Sequence, residues 1–439
     1  MLYRKIAEDI ENQLKSNSNK ILVVEGARQV GKSYIIRYLG KKLFKNYVEI
    51  NLLEDSLSQR MFSNTNTLEN FYLQLSMIAG ERLGTKEDTL VFLDEIQEYP
   101  YMLSLLKFLN QDGRFTYIAS GSLLGVTLAQ TPSIPMGSIE IMHMYPLDFE
   151  EFLIANGVGT MVIDVMRRNF NEQKAMDEPV HNKIMDLFRK YLLVGGMPDA
   201  VNKYLAITNI VEVRKIHADI LQFYAADASK YDAARRLKIR RIYEMIPSNM
   251  ENKKKRMVLK DIEDKKGRRF SDYQDEFEYI ISAGIALEVK AVSNPRFPLI
   301  QSGSKNLLKL YLNDVGLLTN ILYRNNIRAV LDDVRSINLG SVYETVVATE
   351  LKAHGSSLFY YDNKTRGEVD YLIDDYDSLS VLPLEVKSGK DYTVHSALNH
   401  FLDNDEYHIN RGIVLSNERE VKTVGKVTYM PIYYVMFFS

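Results

Sequence analysis

The 439-residue chain contains no cysteine. That excludes disulfides, thiolate zinc sites and a cysteine nucleophile. No apolar run approaches the length of a membrane span. The first residues, Met1-Leu2-Tyr3-Arg4-Lys5, lead into an amphipathic helix and not into the apolar core of a signal peptide. A cytoplasmic location with no membrane partner is therefore expected. A large excess of one charge is also missing: 55 Lys and Arg face 57 Asp and Glu, a formal net charge of -2. The surface as a whole calls for neither nucleic acid nor a lipid surface, so charge has to be read locally. Repeats and low-complexity tracts are absent. The rest is ordinary for a globular protein, with 46% hydrophobic and 26% charged residues. The length suits about three domains.

The chain is organised around Gly26-Ala27-Arg28-Gln29-Val30-Gly31-Lys32-Ser33, which reads G-x-x-x-x-G-K-S. It follows the apolar run Ile21 to Val24 and precedes a helical pattern from Tyr34 to Leu43. Strand, glycine loop and helix is the context that a phosphate-binding P-loop requires. Glycines let the backbone turn so that successive N–H groups face phosphate oxygens, and the helix start adds its positive dipole end. Lys32 is placed to reach the β- and γ-phosphates and the Ser33 hydroxyl to sit on Mg2+, with Tyr34 next to them.

Downstream, Thr89-Leu90-Val91-Phe92-Leu93-Asp94-Glu95 is a buried-strand pattern ending in two carboxylates, the Walker B arrangement. Asp94 would hold Mg2+ through water together with Ser33, and Glu95 would orient and polarise the attacking water, so Lys32 and Glu95 are the candidate catalytic residues. Phe115 to Ala119 is a further strand ending in Ser120-Gly121-Ser122. A small hydroxyl there either touches the γ-phosphate or the water, or belongs to a plain turn. Asp148 with Glu151 three residues on reads as a helix capping box.

These stretches, together with Tyr145-Pro146-Leu147-Asp148-Phe149-Glu150-Glu151-Phe152 and Gly195-Gly196-Met197-Pro198, resemble the AAA+ ATPases. More narrowly they resemble a prokaryotic family of AAA+ ATPases with a C-terminal half of unassigned function. The resemblance implies ATP as the nucleotide, Mg2+ as its metal, and a helical lid. It places Pro198 near the adenine base, where the residues alone also allow an ordinary helix–helix turn. Members of that family often carry a Gly-Arg pair before the PLDFEEF-type element. Here the pair is Gly137-Ser138, and no Arg lies between Gly121 and Met166. A positive group for the transition state would then come from another subunit or be absent.

From Lys230 to Phe270 the balance shifts to 15 Lys and Arg against 6 Asp and Glu. Helices followed by a hairpin (residues 285–292 and 307–312) suggest a winged helix. Its basic stretch 235–269 would contact DNA phosphates, or would be a solvated face that also pairs with acidic surfaces of the chain itself. Beyond it, a helix, three strands, a helix and a strand carry Glu344, Asp370 and Glu385-Val386-Lys387. This order, with Asp…Glu-x-Lys on the strands, resembles the restriction-endonuclease-like superfamily. Glu385 and Lys387 are two apart on a strand and share a face. Two carboxylates can hold Mg2+ near a scissile phosphate, Lys387 can steady developing charge, and Glu344 can be a third contact. The alternative is a set of acidic edges that pair with Lys387 and Arg366.

The expected fold is α/β: a P-loop AAA+ core over 1–155, a helical lid over 156–230, a basic winged-helix-like segment over 231–330, and a restriction-endonuclease-like α/β domain over 335–439. The expected function is Mg2+-dependent ATP binding and hydrolysis that controls a C-terminal domain acting on DNA or a protein partner. An ATP-gated Mg2+-dependent nuclease and a slow nucleotide-controlled switch or scaffold are the competing readings.

Overall fold

In the computed structural model of the chain, the described residues are 1–16, 18–122, 137–227, 233–252, 254–263, 267–332, 338–389 and 391–438. They form two compact units. The first holds Met1, residues 3–145 and 282–284; the second holds Leu2, 146–281 and 285–439.

The first unit is built on five parallel strands: β1 (Ile21–Glu25), β2 (Asn46–Asn51), β3 (Thr89–Asp94), β4 (Thr116–Gly121) and β5 (Ile139–His143), in the order β2-β3-β4-β1-β5. The uninterrupted apolar runs of β1 and β3 are fully buried, as strands covered on both faces must be. Val23, Val91, Leu93 and Ala119 of the sheet pack with Phe71 and Leu75 of helix Leu68–Ala79 and Leu103 and Leu106 of helix Pro100–Asp112. Because β4 is inserted between β1 and β3, the carboxyl ends of these three strands lie side by side, the usual place for a ligand in an open parallel sheet. The strands fall within a residue or two of the sequence pattern. Residues 56–83, whose sequence reads as helical with a polar break around Asn64 to Asn66, lie across helices Leu52–Leu57 and Leu68–Ala79, and the break falls between the two. Thr67 starts the second helix by accepting the Asn70 N–H at 3.2 Å.

The second unit contains an eight-stranded mixed sheet. Its strands are β6 (Ala286–Val292), β7 (Gly303–Leu312), β8 (Phe359–Asn363), β9 (Gly367–Asp375), β10 (Ser380–Val386), β11 (Gly412–Ser416), β12 (Lys422–Val424) and β13 (Val427–Pro431). The order is β12-β13-β11-β10-β9-β8-β6-β7. Helix Gly340–Ala353 precedes the antiparallel run β8-β9-β10, and helix Ser396–Leu402 connects β10 to the parallel strand β11. The hairpin that the sequence suggests as a wing is β6–β7, and it is the edge pair of this sheet: β6 runs parallel to β8, with Lys290 opposite Phe359 and Val292 opposite Tyr361. Ala286, Val289, Ala291 and Val292 are buried there, on both faces of the strand, too apolar to stand in water. The last hairpin, β12–β13, was not expected from the sequence. Its strands are short, and only the turn at Gly425, with φ +60°, marks it.

The capping box holds: Asp148 accepts the Glu151 N–H at 2.8 Å, and Glu151 accepts the Asp148 N–H at 3.2 Å. A second cap lies deeper. Asp314 starts helix Val315–Tyr323 by accepting the Leu317 N–H at 3.0 Å, and it also accepts the Gly196 N–H at 2.6 Å. Gly196 has no room for a side chain, since a Cβ there would overlap the backbone of Leu147. Burial pushes the Asp314 carboxyl up to about 6, against its backbone hydrogen bonds, which pull it down. The folded state therefore holds the proton more tightly than the unfolded chain, so this group favours folding at low pH and the contribution is lost as pH rises from about 4 to 6. The expected result is that the gap in melting temperature between wild type and Asp314→Asn is larger at pH 4.5 than at pH 7.5. A gap that widens with rising pH would contradict this.

The basic stretch is largely engaged within the second unit. Arg235 pairs with Asp275 at 3.0 Å, Arg240 with Glu244 at 2.7 Å and Arg268 with Glu263 at 3.5 Å, while Arg241 donates to the Ile262 carbonyl at 2.8 Å. Of the basic stretch read in the sequence, Lys253, Lys265 and Lys266 lie outside the described residues, as do residues 123–136 of the Arg-free stretch after Gly121.

Candidate functional site

At the carboxyl end of β1 the chain turns through the glycine loop into helix Lys32–Leu43. A Cβ on Gly26 would overlap the Met144 carbonyl, so this position has to be glycine. Gly31 precedes the helix with φ +97°, in the left-handed region that glycine tolerates. Lys32 is buried, and its Nζ donates to the Gly26 carbonyl at 2.8 Å and the Ala27 carbonyl at 2.9 Å. Burial pushes the Lys32 ammonium down, while the charges of Glu95 and Asp94 push it up. Around it, Ala27 and Val30 are buried, Arg28 is half-buried, and Gln29 and Tyr34 are exposed. Arg4, from the segment before the first helix, braces the loop by donating to the Val30 carbonyl at 3.1 Å and the Tyr145 carbonyl at 2.6 Å. Sequence reasoning missed Arg4; a lone arginine at a helix start carries no signal for a contact 26 residues away.

Asp94 ends β3 beside this loop. Its Oδ1 accepts the Ser33 hydroxyl at 3.0 Å, the Glu95 N–H at 3.1 Å, and the Ser120 hydroxyl. Burial pushes the Asp94 carboxyl up, and the Ser120 and Ser33 hydrogen bonds work against that shift. Ser120, which the sequence left between a phosphate contact and a turn, thus bonds Asp94. Glu95 has φ +56° and ψ +48°, a left-handed conformation uncommon outside glycine and strained for a glutamate. The Gln97 amide bonds the Glu95 carboxylate and reaches Ser122 at both ends: Nε2 to Oγ at 3.4 Å, and the Ser122 N–H to Oε1 at 3.2 Å. Gln97 therefore couples the candidate base to the end of β4. Its side chain could be located only once the fold brought β3 and β4 together.

Lys32, Ser33, Asp94 and Glu95 are thus brought to one place. Pro198, the first residue of helix Pro198–Ile207, belongs to the second unit.

A second constellation lies within the second unit. Glu344 on helix Gly340–Ala353 accepts the Tyr311 hydroxyl at 3.0 Å and is paired with the Lys255 ammonium. Asp370 on β9 accepts the Val386 N–H at 2.8 Å. Glu385 on β10 pairs with Lys387 at 2.8 Å through one oxygen, while its Oε2 is buried with no hydrogen-bond partner. Burial, then Glu385 and Glu344, push the Asp370 carboxyl up, so the three carboxylates share one field. Burial likewise pushes Glu385 up, with Lys387 opposing it. Burial pulls the Lys387 ammonium down, but the charges of Glu385, Asp370 and Glu344 outweigh it and raise it. The four residues singled out in the sequence are therefore together. Lys255 was not expected among them, because it is 89 residues from Glu344 and was read as part of a basic face. Arg366 does not enter the constellation; its guanidinium stands 6.0 Å from the Tyr407 ring. Among the described residues, no three His, Asp or Glu side chains stand ready to hold a metal ion.

The β2-β3-β4-β1-β5 parallel sheet, the glycine loop and the Ser33–Asp94 pair with Glu95 beside it are those of a P-loop nucleoside triphosphatase. Residues 18–153 match the family model of an AAA domain, so the chain carries a P-loop ATPase core of the AAA+ class. Residues 185–328 and 339–435 match two further models, both described as domains of unknown function, DUF8612 and DUF4143. An uncharacterized protein of Methanocaldococcus jannaschii, MJ1544, is 23% identical over 388 residues, covering 84% of this chain and 75% of that protein. Among solved structures, the Walker-type ATPase PABY2304 of Pyrococcus abyssi aligns with a TM-score of 0.45 and 14% identity over 73% of this chain and 95% of its own. The Orc1 protein of Aeropyrum pernix, in complex with DNA, aligns with a TM-score of 0.33 and 13% identity over 74% and 92%. Among the described residues, no helix is long and apolar enough to cross a membrane.

Proposed function

We propose that the chain binds and hydrolyses ATP with Mg2+ and that its nucleotide state controls the C-terminal half. The observation that carries this reading is the Ser33–Asp94 hydrogen bond at 3.0 Å with Glu95 adjacent and Lys32 in the same field. On binding, phosphate oxygens would take the Lys32 ammonium from the Gly26 and Ala27 carbonyls, and the loop N–H groups would close on them. Mg2+ fits the donors present, a hydroxyl and a carboxylate side by side, and when bound would neutralise phosphate charge between Ser33 and Asp94. Glu95 would accept a proton from the attacking water, held at its angle by Gln97. Measuring ATP binding and turnover side by side on variants at Lys32 and Glu95 tests this reading: the first should lose both, the second turnover alone.

A second reading, an ATP-gated Mg2+-dependent nuclease, is favoured by one observation. The helix, three antiparallel strands, helix and parallel strand of the C-terminal half carry Glu344, Asp370, Glu385 and Lys387 into a single cluster. The resemblance of the sequence to the restriction-endonuclease-like superfamily supports this reading. The donor set of three carboxylates, one with an orphaned oxygen, suits a hard cation, although the side chains are not gathered around one. Under this reading, plasmid DNA is nicked in the presence of Mn2+. Asp370→Asn should lower cleavage by about 100-fold or more, the scale of losing one electrostatic contact in the transition state, and leave ATP turnover unchanged. Cleavage that survives Asp370→Asn would rule this cluster out as its source. The basic stretch gives DNA binding less support, since so many of its cations are paired with carboxylates of the same unit.

A further inference from the structure

Lys255 occupies a position that its own sequence neighbourhood does not explain. It follows the long helix Ala233–Glu251, in a short irregular stretch, and its backbone has φ +47°, a left-handed conformation that a lysine adopts at a cost. The stretch is held in place on both sides of the residue. The Lys255 N–H donates to the Asn252 carbonyl at 3.1 Å, and the Met257 N–H to the Leu308 carbonyl of β7 at 3.1 Å. Arg256 pairs with Asp362 and also lies 3.8 Å from Glu368. These anchors aim the Lys255 side chain inward, where four-fifths of it is removed from solvent, and its ammonium pairs with Glu344 within the field of Asp370. A buried carboxylate without a counter-charge is costly, and here the counter-charge arrives on a flexible four-carbon stem.

Glu344, Asp370 and Glu385 are formally three negative charges, and Lys255 and Lys387 supply two positive ones; the buried Lys309, which also acts on Asp370, is itself paired with Glu368. Glu385 Oε2 is left buried with no hydrogen-bond partner, although the residue is only 6% exposed. A buried oxygen in that state calls for a partner. A divalent cation in place of the Lys255 ammonium, with Lys387 retained, would neutralise the three carboxylates and give Glu385 Oε2 its partner.

We infer that Lys255 is a tethered cation that stands in for a divalent metal ion at the Glu344–Asp370–Glu385 cluster and must be displaced for that ion to bind. This rests on the reading of the cluster as a metal site. The structure as described is then the closed, metal-excluding form, which accounts for three carboxylates sharing one field without being gathered as ligands. The stretch 254–257 is the strap: Lys255 is withdrawn by release of its pairing with Glu344 and a change at its left-handed backbone, between the anchors at Asn252 and Met257.

The test uses the full chain without nucleotide, titrated with MnCl2 by isothermal titration calorimetry. Lys255→Met should bind Mn2+ at least about tenfold more tightly than wild type, the scale expected when one nearby positive charge is removed from a partly buried site. Adding Asp370→Asn to Lys255→Met should remove that binding. Lys255→Arg, which keeps the charge, should remain near wild type. In wild type itself, saturating Mn2+ should raise the rate at which Lys255 is acetylated by an N-hydroxysuccinimide ester, read by peptide mass spectrometry; this measurement stands even where Lys255→Met fails to fold. Asp370-dependent Mn2+ binding that is equally tight in wild type and Lys255→Met, with no change in Lys255 labelling, overturns the inference and leaves the metal site standing. No Asp370-dependent Mn2+ binding in either protein overturns both.

Discussion

Lys32→Met is expected to lose ATP hydrolysis altogether and to bind ATP at least about 100-fold more weakly, because hydrogen bonds to charged groups are each worth about 1.5–3 kcal/mol and this ammonium would make more than one to the phosphates. The same substitution should not weaken the nucleotide-free fold at pH 7. Burial lowers the Lys32 pKa, so the charged form is disfavoured in the folded state relative to the unfolded chain. That penalty is present in full below the folded pKa and fades as pH rises toward the unfolded value near 10.5. Methionine keeps the bulk and removes the charge. The two hydrogen bonds to the Gly26 and Ala27 carbonyls are lost with it, which sets a limit to any gain. Differential scanning fluorimetry separates the effects. Without nucleotide, the melting temperature should stay level or rise; with ATP, wild type should shift upward by mass action and the variant should not. A variant that still shifts with ATP would mean that the loop does not bind phosphate through Lys32.

Glu95→Gln should have the opposite profile. The amide is nearly isosteric with the carboxylate, can still accept from Gln97, and leaves Lys32, Ser33 and Asp94 untouched. ATP affinity is therefore expected to stay within a few-fold of wild type. The amide cannot take a proton from water, so single-turnover hydrolysis should slow by about 100- to 10,000-fold, the range for a positioned general base. The left-handed backbone at Glu95 sharpens the expectation, since strain at a non-glycine residue is retained where the surrounding structure holds a side chain at a required angle. Turnover within about threefold of wild type would assign the base to another residue.

The candidate nucleotide site was legible because its chemistry is local. The phosphate loop is a contiguous stretch whose glycines are needed for backbone reasons, and Asp94-Glu95 ends an apolar run that only a buried strand explains. What the sequence withheld were the contacts made by folding. Ser120 and Gln97 are small or neutral residues whose roles depend on β4 lying next to β3, and Arg4 acts on carbonyls far along the chain. The same holds for the acidic cluster. The i, i+2 spacing of Glu385 and Lys387 fixed their common face, and the helix–strand order placed Glu344 and Asp370 near them. Lys255 was read as one more member of a basic face, because charge runs in sequence do not show which cation turns inward. The wing was misjudged in one respect for a related reason: the alternation in β6 and β7 specifies a hairpin but not the strand that β6 will lie beside.

That last pairing sets where the polypeptide can be divided. The region matching one family model, 185–328, supplies two strands to a sheet whose remaining six fall wholly within the region matching the other, 339–435. Cutting between them, as the two names invite, would strip β6 from β8 and leave Phe359, Tyr360 and Tyr361 along a bare edge with open backbone groups, the kind of surface on which chains stick to one another. These two regions are one folding unit in two pieces of sequence, and a fragment meant to isolate the acidic cluster has to begin upstream of Ala286.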